Sequence, residues 1–210
     1  MSLAKMLWEE NVDLARAALA HRFVRGLKDG TLPLDSFQEY IGQDAFFLEA
    51  FARAYALALA HAPDREDMGD FAELLAGVLE ELGLHQSYAA RWKVYLGGVV
   101  PGEATLAYTD FLLSTSALRS VGETCAAMTP CMRLYAFLGQ SLAEEGIGEA
   151  NPYAEWVETY SDPEFEALAA KLEGLLDRYA SDTPAVRAAY RRAMVLELAF
   201  FEANAEGTTG

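Results

Sequence analysis

The stretch Phe37-Gln38-Glu39-Tyr40-Ile41-Gly42-Gln43-Asp44-Ala45-Phe46-Phe47-Leu48 decides the fold class. Tyr40 and Phe47, and Ile41 and Leu48, lie seven residues apart, two helical turns, and steps of three and four carry the pattern from Leu48 through Phe51, Tyr55 and Leu59. One face of a helix from Phe37 to about His61 is therefore apolar. Pro63 stops it, and Asp35 or Ser36 stands where a cap is expected. Asp44 falls inside the apolar face. A buried carboxylate must be paired or hydrogen-bonded, or its desolvation is costly. Asp44 therefore either pairs with a neighbouring helix or serves a site.

The same period extends in both directions. Toward the N-terminus, Leu7, Trp8, Val12, Ala15, Ala18, Leu19, Phe23, Val24 and Leu27 form one helical segment, halted by Asp29-Gly30. Leu32-Pro33-Leu34-Asp35 reads as a turn. Downstream, helices are expected over Glu66 to Leu82, over His85 to Leu96 after a joint at Gly83-Leu84, and over Thr105 to Leu118. Further helices should follow around Cys131, from Asn151-Pro152 through Tyr160, and from Asp162-Pro163 to Tyr179. The last should run from Asp182-Thr183-Pro184 to about Ala203. No segment alternates in the strand period, and the breaks are short, as between helices of one bundle. The expectation is one all-α domain over residues 1–206, with 207–210 as an unstructured tail.

Bulk properties narrow the function. A chain of 210 residues, 52% hydrophobic, is long enough to bury a core without metals or disulfides. Thirty-two acidic against 16 basic residues give a net charge of −16, a surface that repels phosphate backbones and anionic lipid. Neither a nucleic-acid nor a membrane partner is expected. No apolar run is long enough to span a bilayer, and charges interrupt the N-terminus where a signal peptide would be apolar. Two cysteines, Cys125 and Cys131, fall on different sides of a helix, which argues against a local disulfide and fits a reducing cytoplasm.

Thr129-Pro130-Cys131-Met132-Arg133-Leu134-Tyr135 is the stretch with the most chemistry. If a helix continues through Pro130, the ring removes one backbone bond and crowds the carbonyl four residues back. If a helix starts there, Thr129 is the cap and Cys131 lies in the first turn, where free amides favour a thiolate. Tyr135 shares the face of Cys131 one turn on. The alternative is a structural cysteine in a core. Glu197, among Met194, Leu198, Phe200 and Phe201, poses the same question as Asp44, with Glu202 as a more exposed substitute. Tyr108 and Tyr160 read as core residues or as hydroxyl donors. Glu81 and His85, four apart, read as a ligand pair or a helix-face contact. With three histidines and no Glu-x-x-His pair, no metal and no cofactor is expected.

Taken together, these stations resemble the TenA/thiaminase II family. The resemblance rests on His21-Arg22-Phe23-Val24, Leu27-Lys28-Asp29-Gly30-Thr31-Leu32-Pro33 and the Phe37–Leu48 stretch. It continues through Glu81 with His85, Ala107-Tyr108-Thr109, Pro130-Cys131 with Tyr135, Trp156 through Tyr160, and Glu197 with Phe200-Phe201. It implies a heme-oxygenase-like helical fold without haem, assembled as a homotetramer. It implies hydrolysis of 4-amino-5-aminomethyl-2-methylpyrimidine, and more slowly of thiamin, to the hydroxymethyl pyrimidine. Cys131 would be the nucleophile, Glu197 the proton shuttle, Asp44 the pyrimidine anchor and Phe47 its stacking partner. Tyr108, Tyr135 and Tyr160 would orient ring and thiol. Arg133 stands where the family often has tryptophan, either lowering the thiol's pKa or pointing to solvent. Phe46 and Phe47 stand where tyrosines are common. A non-catalytic pyrimidine-binding bundle, a haem or metal oxidase and a purely structural bundle are the alternatives.

Overall fold

In the computed structural model, residues 1–205 are described, without the side chains of Leu84, His85 and Tyr88. The tail expectation and the His85 half of the Glu81–His85 pair lie outside the described residues. The described residues form ten α-helices and one short 3₁₀ turn, with no strand. They are α1 (Leu3–Glu10), α2 (Val12–Leu19), α3 (Arg22–Asp29), α4 (Leu34–His61) and α5 (Arg65–Trp92), then α6 (Glu103–Leu118), α7 (Val121–Glu145), α8 (Ala154–Ser161), α9 (Pro163–Tyr179) and α10 (Pro184–Asn204).

The single N-terminal segment read from the sequence is three helices. Asn11 leaves helical geometry and donates its amide to the Leu7 carbonyl at 2.8 Å, and His21 then caps α3 by accepting from the Phe23 amide. Gly30, at φ 70°, closes α3 in the left-handed conformation that glycine adopts without strain. The cap of α4 is Pro33, which contributes no side-chain bond, rather than Asp35 or Ser36; the Ser36 hydroxyl is buried and donates to the Ala205 carbonyl. The joint expected at Gly83-Leu84 is absent: α5 runs straight through to Trp92, and the 3₁₀ turn Leu96–Gly98 follows. A lone glycine costs a helix only about 1 kcal/mol, which the packing of so long a helix outweighs. The boundaries of α9 and α10 fall where their Asp-Pro and Thr-Pro starts place them, with Asp162 and Thr183 accepting from Glu164 and Val186 amides.

α7 is the organising helix, packed against α2, α4, α6, α8, α9 and α10. It begins at a capping box, Ser120 with Glu123, and passes through Pro130 without stopping. Thr129 is therefore not a cap: its hydroxyl donates to the Cys125 carbonyl at 2.7 Å, and Cys131 lies mid-helix rather than in a first turn. The favourable amides of a helix start are thus unavailable to its sulfur. Gly139 lets α7 touch the backbone of α8; a Cβ there would lie 2.4 Å from the Tyr160 carbonyl carbon. That approach brings α8, with Trp156 and Tyr160, onto the Cys131 face of α7.

Candidate active site

Glu197 on α10 is the hub. It is buried, and it accepts the Tyr108 hydroxyl of α6 at 2.7 Å. The Cys131 thiol hydrogen-bonds the same carboxyl group. Burial pushes the Glu197 carboxyl up to about 8; the charge of Asp44 adds to that, and the Tyr108 and Cys131 hydrogen bonds oppose it. Burial also pushes the Cys131 thiol well up, and Glu197, Glu81 and Asp44 reinforce it with negative charge. The resting sulfur is a protonated thiol beside a carboxyl group able to take its proton.

The other predicted residues converge here. Asp44, buried on α4, acts electrostatically on Cys131, Glu197, Tyr135 and Tyr160. Phe47 tilts against Tyr108 at 4.8 Å between ring centroids and also meets Phe51 and Phe200. Tyr135 lies one turn beyond Cys131, with Tyr160 4.7 Å away edge-on and Phe201 on another side. The Tyr160 hydroxyl donates to Glu81 Oε1 at 2.6 Å. Burial holds the Tyr108, Tyr135 and Tyr160 phenols well above 10, so each is a neutral donor. Glu202, by contrast, is exposed and bonds His21 and Arg22.

Two participants were not read as site residues from the sequence. Tyr40, taken as core, accepts from the Trp156 indole at 3.2 Å and donates to the Tyr135 hydroxyl at 3.5 Å, so it anchors that phenol. Glu81, read from the sequence beside His85, anchors Tyr160. Arg133 fits neither of its expected roles. Its guanidinium is largely buried and is gripped by Glu166 and Glu173 of α9 at 2.8–2.9 Å, facing away from the thiol toward the α7–α9 contact. Cys125 and Cys131 are both free thiols.

The array defines a class: an all-α protein of the heme-oxygenase-like type with a buried thiol–carboxyl pair walled by aromatic rings. A solved TenA homologue from P. horikoshii OT3 superposes with a TM-score of 0.90 at 25% identity, over 99% of this chain and all of that one. The family model TENA/THI-4/PQQC matches residues 8–205, and the chain belongs to that family. It is 35% identical to the aminopyrimidine aminohydrolase of Halalkalibacterium halodurans, over 86% of this chain and 83% of that protein. It is 36% identical to the bifunctional TH2 protein of Arabidopsis thaliana over 85% of this chain, and spans about a third (33%) of that protein's length.

Proposed function

We propose that this chain is an aminopyrimidine aminohydrolase, a thiaminase II of thiamin salvage, hydrolysing 4-amino-5-aminomethyl-2-methylpyrimidine and, more slowly, thiamin. The observation that carries the reading is the single Glu197 carboxyl that holds the Cys131 thiol and the Tyr108 hydroxyl together. The relatives named for that activity support it.

The proton inventory closes around Glu197. As Cys131 sulfur bonds to the ring carbon beside the one bearing the methylene, its proton passes to ionised Glu197. The ring's electron pair expels the amine from the methylene, leaving an exocyclic double bond, and Glu197 gives the amine that proton. Water adds to the methylene and returns a proton to Glu197. The electron pair moves back into the ring, the sulfur departs, and Glu197 reprotonates it. Asp44 holds the ring through its nitrogen edge, Phe47 covers a face, and Tyr135 and Tyr160, fixed by Tyr40 and Glu81, keep the ring against the sulfur.

The reading includes a homotetramer in the cytoplasm, as the family resemblance implies. It is supported by exposed apolar side chains such as Tyr95, Val100 and Leu118, which suit an interface between copies. Light scattering of the purified chain reads the mass directly. Among the described residues no helix is long and apolar enough to cross a membrane.

Steady-state assay of the aminomethyl pyrimidine and of thiamin, wild type beside Cys131→Ser, tests the activity. The variant should lose at least about a thousandfold in kcat while binding the hydroxymethyl product as before. A wild type that binds pyrimidines and turns over none would refute the proposal.

A further inference from the structure

Gln43 stands beside Asp44 on α4 and is buried, and its amide bonds reach away from the thiol–carboxyl centre. Its nitrogen donates to the Glu39 carboxyl group at 2.8 Å and to the Val100 carbonyl at 3.0 Å. Its oxygen accepts the Gly102 amide at 3.0 Å and the Thr105 hydroxyl at 2.6 Å. Two donors and two lone pairs are thereby all used. The Gly102 amide can only donate, so it fixes which end of the Gln43 side chain is oxygen.

These bonds supply a cap that α6 lacks. Its N-cap is Gly102, which has no side chain to offer. In a capping box the N-cap side chain takes the amide three residues on, and the side chain there takes the N-cap amide. Here Thr105 occupies that third position, and its hydroxyl turns to Gln43, whose oxygen also accepts the N-cap amide. A side chain of α4 therefore closes the start of α6. The loop before α6 is seated at the same place through Val100, and Gly42 lets it come close: a Cβ there would lie 3.2 Å from Val99 Cγ2.

The contact continues toward the chemistry one turn at a time. Phe47 follows Gln43 by four residues on α4, Tyr108 follows Thr105 by three on α6, and the two rings meet at 4.8 Å. The Tyr108 hydroxyl then donates to Glu197 at 2.7 Å. Hydrogen bonds weaken steeply with misalignment, so the seat of α6 decides whether that bond is made. We propose that Gln43 is a positioning residue for the proposed hydrolysis: through Thr105 it seats α6 so that the Tyr108 hydroxyl meets Glu197. The inference rests on that reading of the site and adds to it a residue that acts only through Tyr108. The titratable groups acting on Glu197 are Asp44 from α4, Tyr108 from α6, and Cys131 and Tyr135 from α7; of these, Tyr108 is the one on the helix that Gln43 seats.

The test is an infrared titration of the protonated Glu197 carboxyl in the full chain without substrate, from about pH 6 to 10, with Glu197→Gln identifying the band. Gln43→Met keeps the length and removes the amide. Its midpoint should rise by about half a unit to one unit, less than loss of the phenol itself, and kcat/KM at pH 7 should fall about three- to tenfold. Thr105→Val, which keeps the shape and removes the hydroxyl, should move the midpoint the same way, and Thr105→Ser should restore it. Added to Tyr108→Phe, Gln43→Met should shift the midpoint no further. A wild-type midpoint in both Gln43→Met and Thr105→Val, whatever their melting temperatures, would overturn the proposal, because the amide would then serve stability alone. A full additional shift in the Tyr108→Phe background would overturn it too, because Gln43 would then act on Glu197 by another route. Should Gln43→Met fail to fold, the Thr105 variants decide. A wild type without hydrolytic activity would refute the proposed reaction alone, and the infrared titration would still decide the link from Gln43 to Glu197.

Discussion

Replacing Tyr108 by phenylalanine tests the proton shuttle at its adjustable part. The hydroxyl donates to Glu197 at 2.7 Å in a buried setting and favours the carboxylate over the acid. A hydrogen bond to a charged group is worth about 1.5–3 kcal/mol, and 1.36 kcal/mol corresponds to one pKa unit. Without it the Glu197 carboxyl should titrate one to two units above its present value of about 8. Attack by sulfur requires ionised Glu197, so kcat/KM should rise with pH through about 8 in the wild type and through about 9 to 10 in Tyr108→Phe. At pH 7 the variant should therefore be about ten- to a hundredfold slower, and the deficit should shrink as pH rises past the new limb. The assay is a pH profile of kcat/KM for the aminomethyl pyrimidine from pH 6 to 10, with circular dichroism to show an unchanged fold. A variant whose limb stays near 8, or moves down, would refute the assignment of Glu197 as proton carrier. A uniform loss at every pH would show that Tyr108 acts on the substrate alone.

Glu197→Gln should abolish turnover and change how stability depends on pH. The folded chain keeps the Glu197 proton up to about pH 8, whereas the unfolded chain releases it near 4.5, so the native state binds more protons between these values and loses stability as pH rises through the window. The loss is about 3–5 kcal/mol; chemical denaturation should find the variant more stable than wild type by that order at pH 9 and equal to it at pH 4, and parallel slopes would count against a buried neutral carboxyl. Gly139→Ala should place a methyl group into the α8 backbone. A cost of about 1–3 kcal/mol, or several degrees in Tm, with a matching fall in kcat/KM as Tyr160 is displaced, is expected; an unaffected melt would show that α7 and α8 have room to part. Arg133→Ala should lower stability by about 1–2 kcal/mol, because it leaves Glu166 and Glu173 facing each other on α9. Its pH–rate limb should not move; a shift would return the guanidinium to the thiol.

The apolar stripe of α4 was enough to place Asp44 on a buried face, and the same pattern placed Glu197, because a carboxylate inside such a stripe is conspicuous at any helix length. What the sequence conceals is which phenols are held by what. Tyr40 reads as core, and its partners Trp156 and Tyr135 are 116 and 95 residues away. Glu81 is matched with His85 by helical spacing, while its phenolic partner Tyr160 is 79 residues on. The Pro130 ambiguity had a resolving signal nine residues upstream of Thr129: Ser120 with Glu123 is a capping box, and it starts α7 there. With that start in place, α7 carries enough packing on both sides of Pro130 to absorb one missing backbone bond.

The electrostatics of the thiol then follow from the fold. Among the described residues, the charges that bear on Cys131 come from Glu197, Glu81 and Asp44, all acids, and they raise its pKa along with burial. The one arginine close to it in sequence is turned to α9 by two glutamates. Such a site holds no standing thiolate and cannot rely on a depressed pKa for its nucleophile. Sulfur becomes nucleophilic only as its proton crosses to Glu197, at the moment a ring carbon is there to receive the electron pair. A protonated, buried thiol is also a poor target for oxidants, which react with the exposed thiolate. The acidic surroundings, which disfavour a thiolate, therefore confine the reactive form of the sulfur to the complex with substrate, and they make a second acid, with its pKa raised toward neutrality, a necessary companion of the thiol.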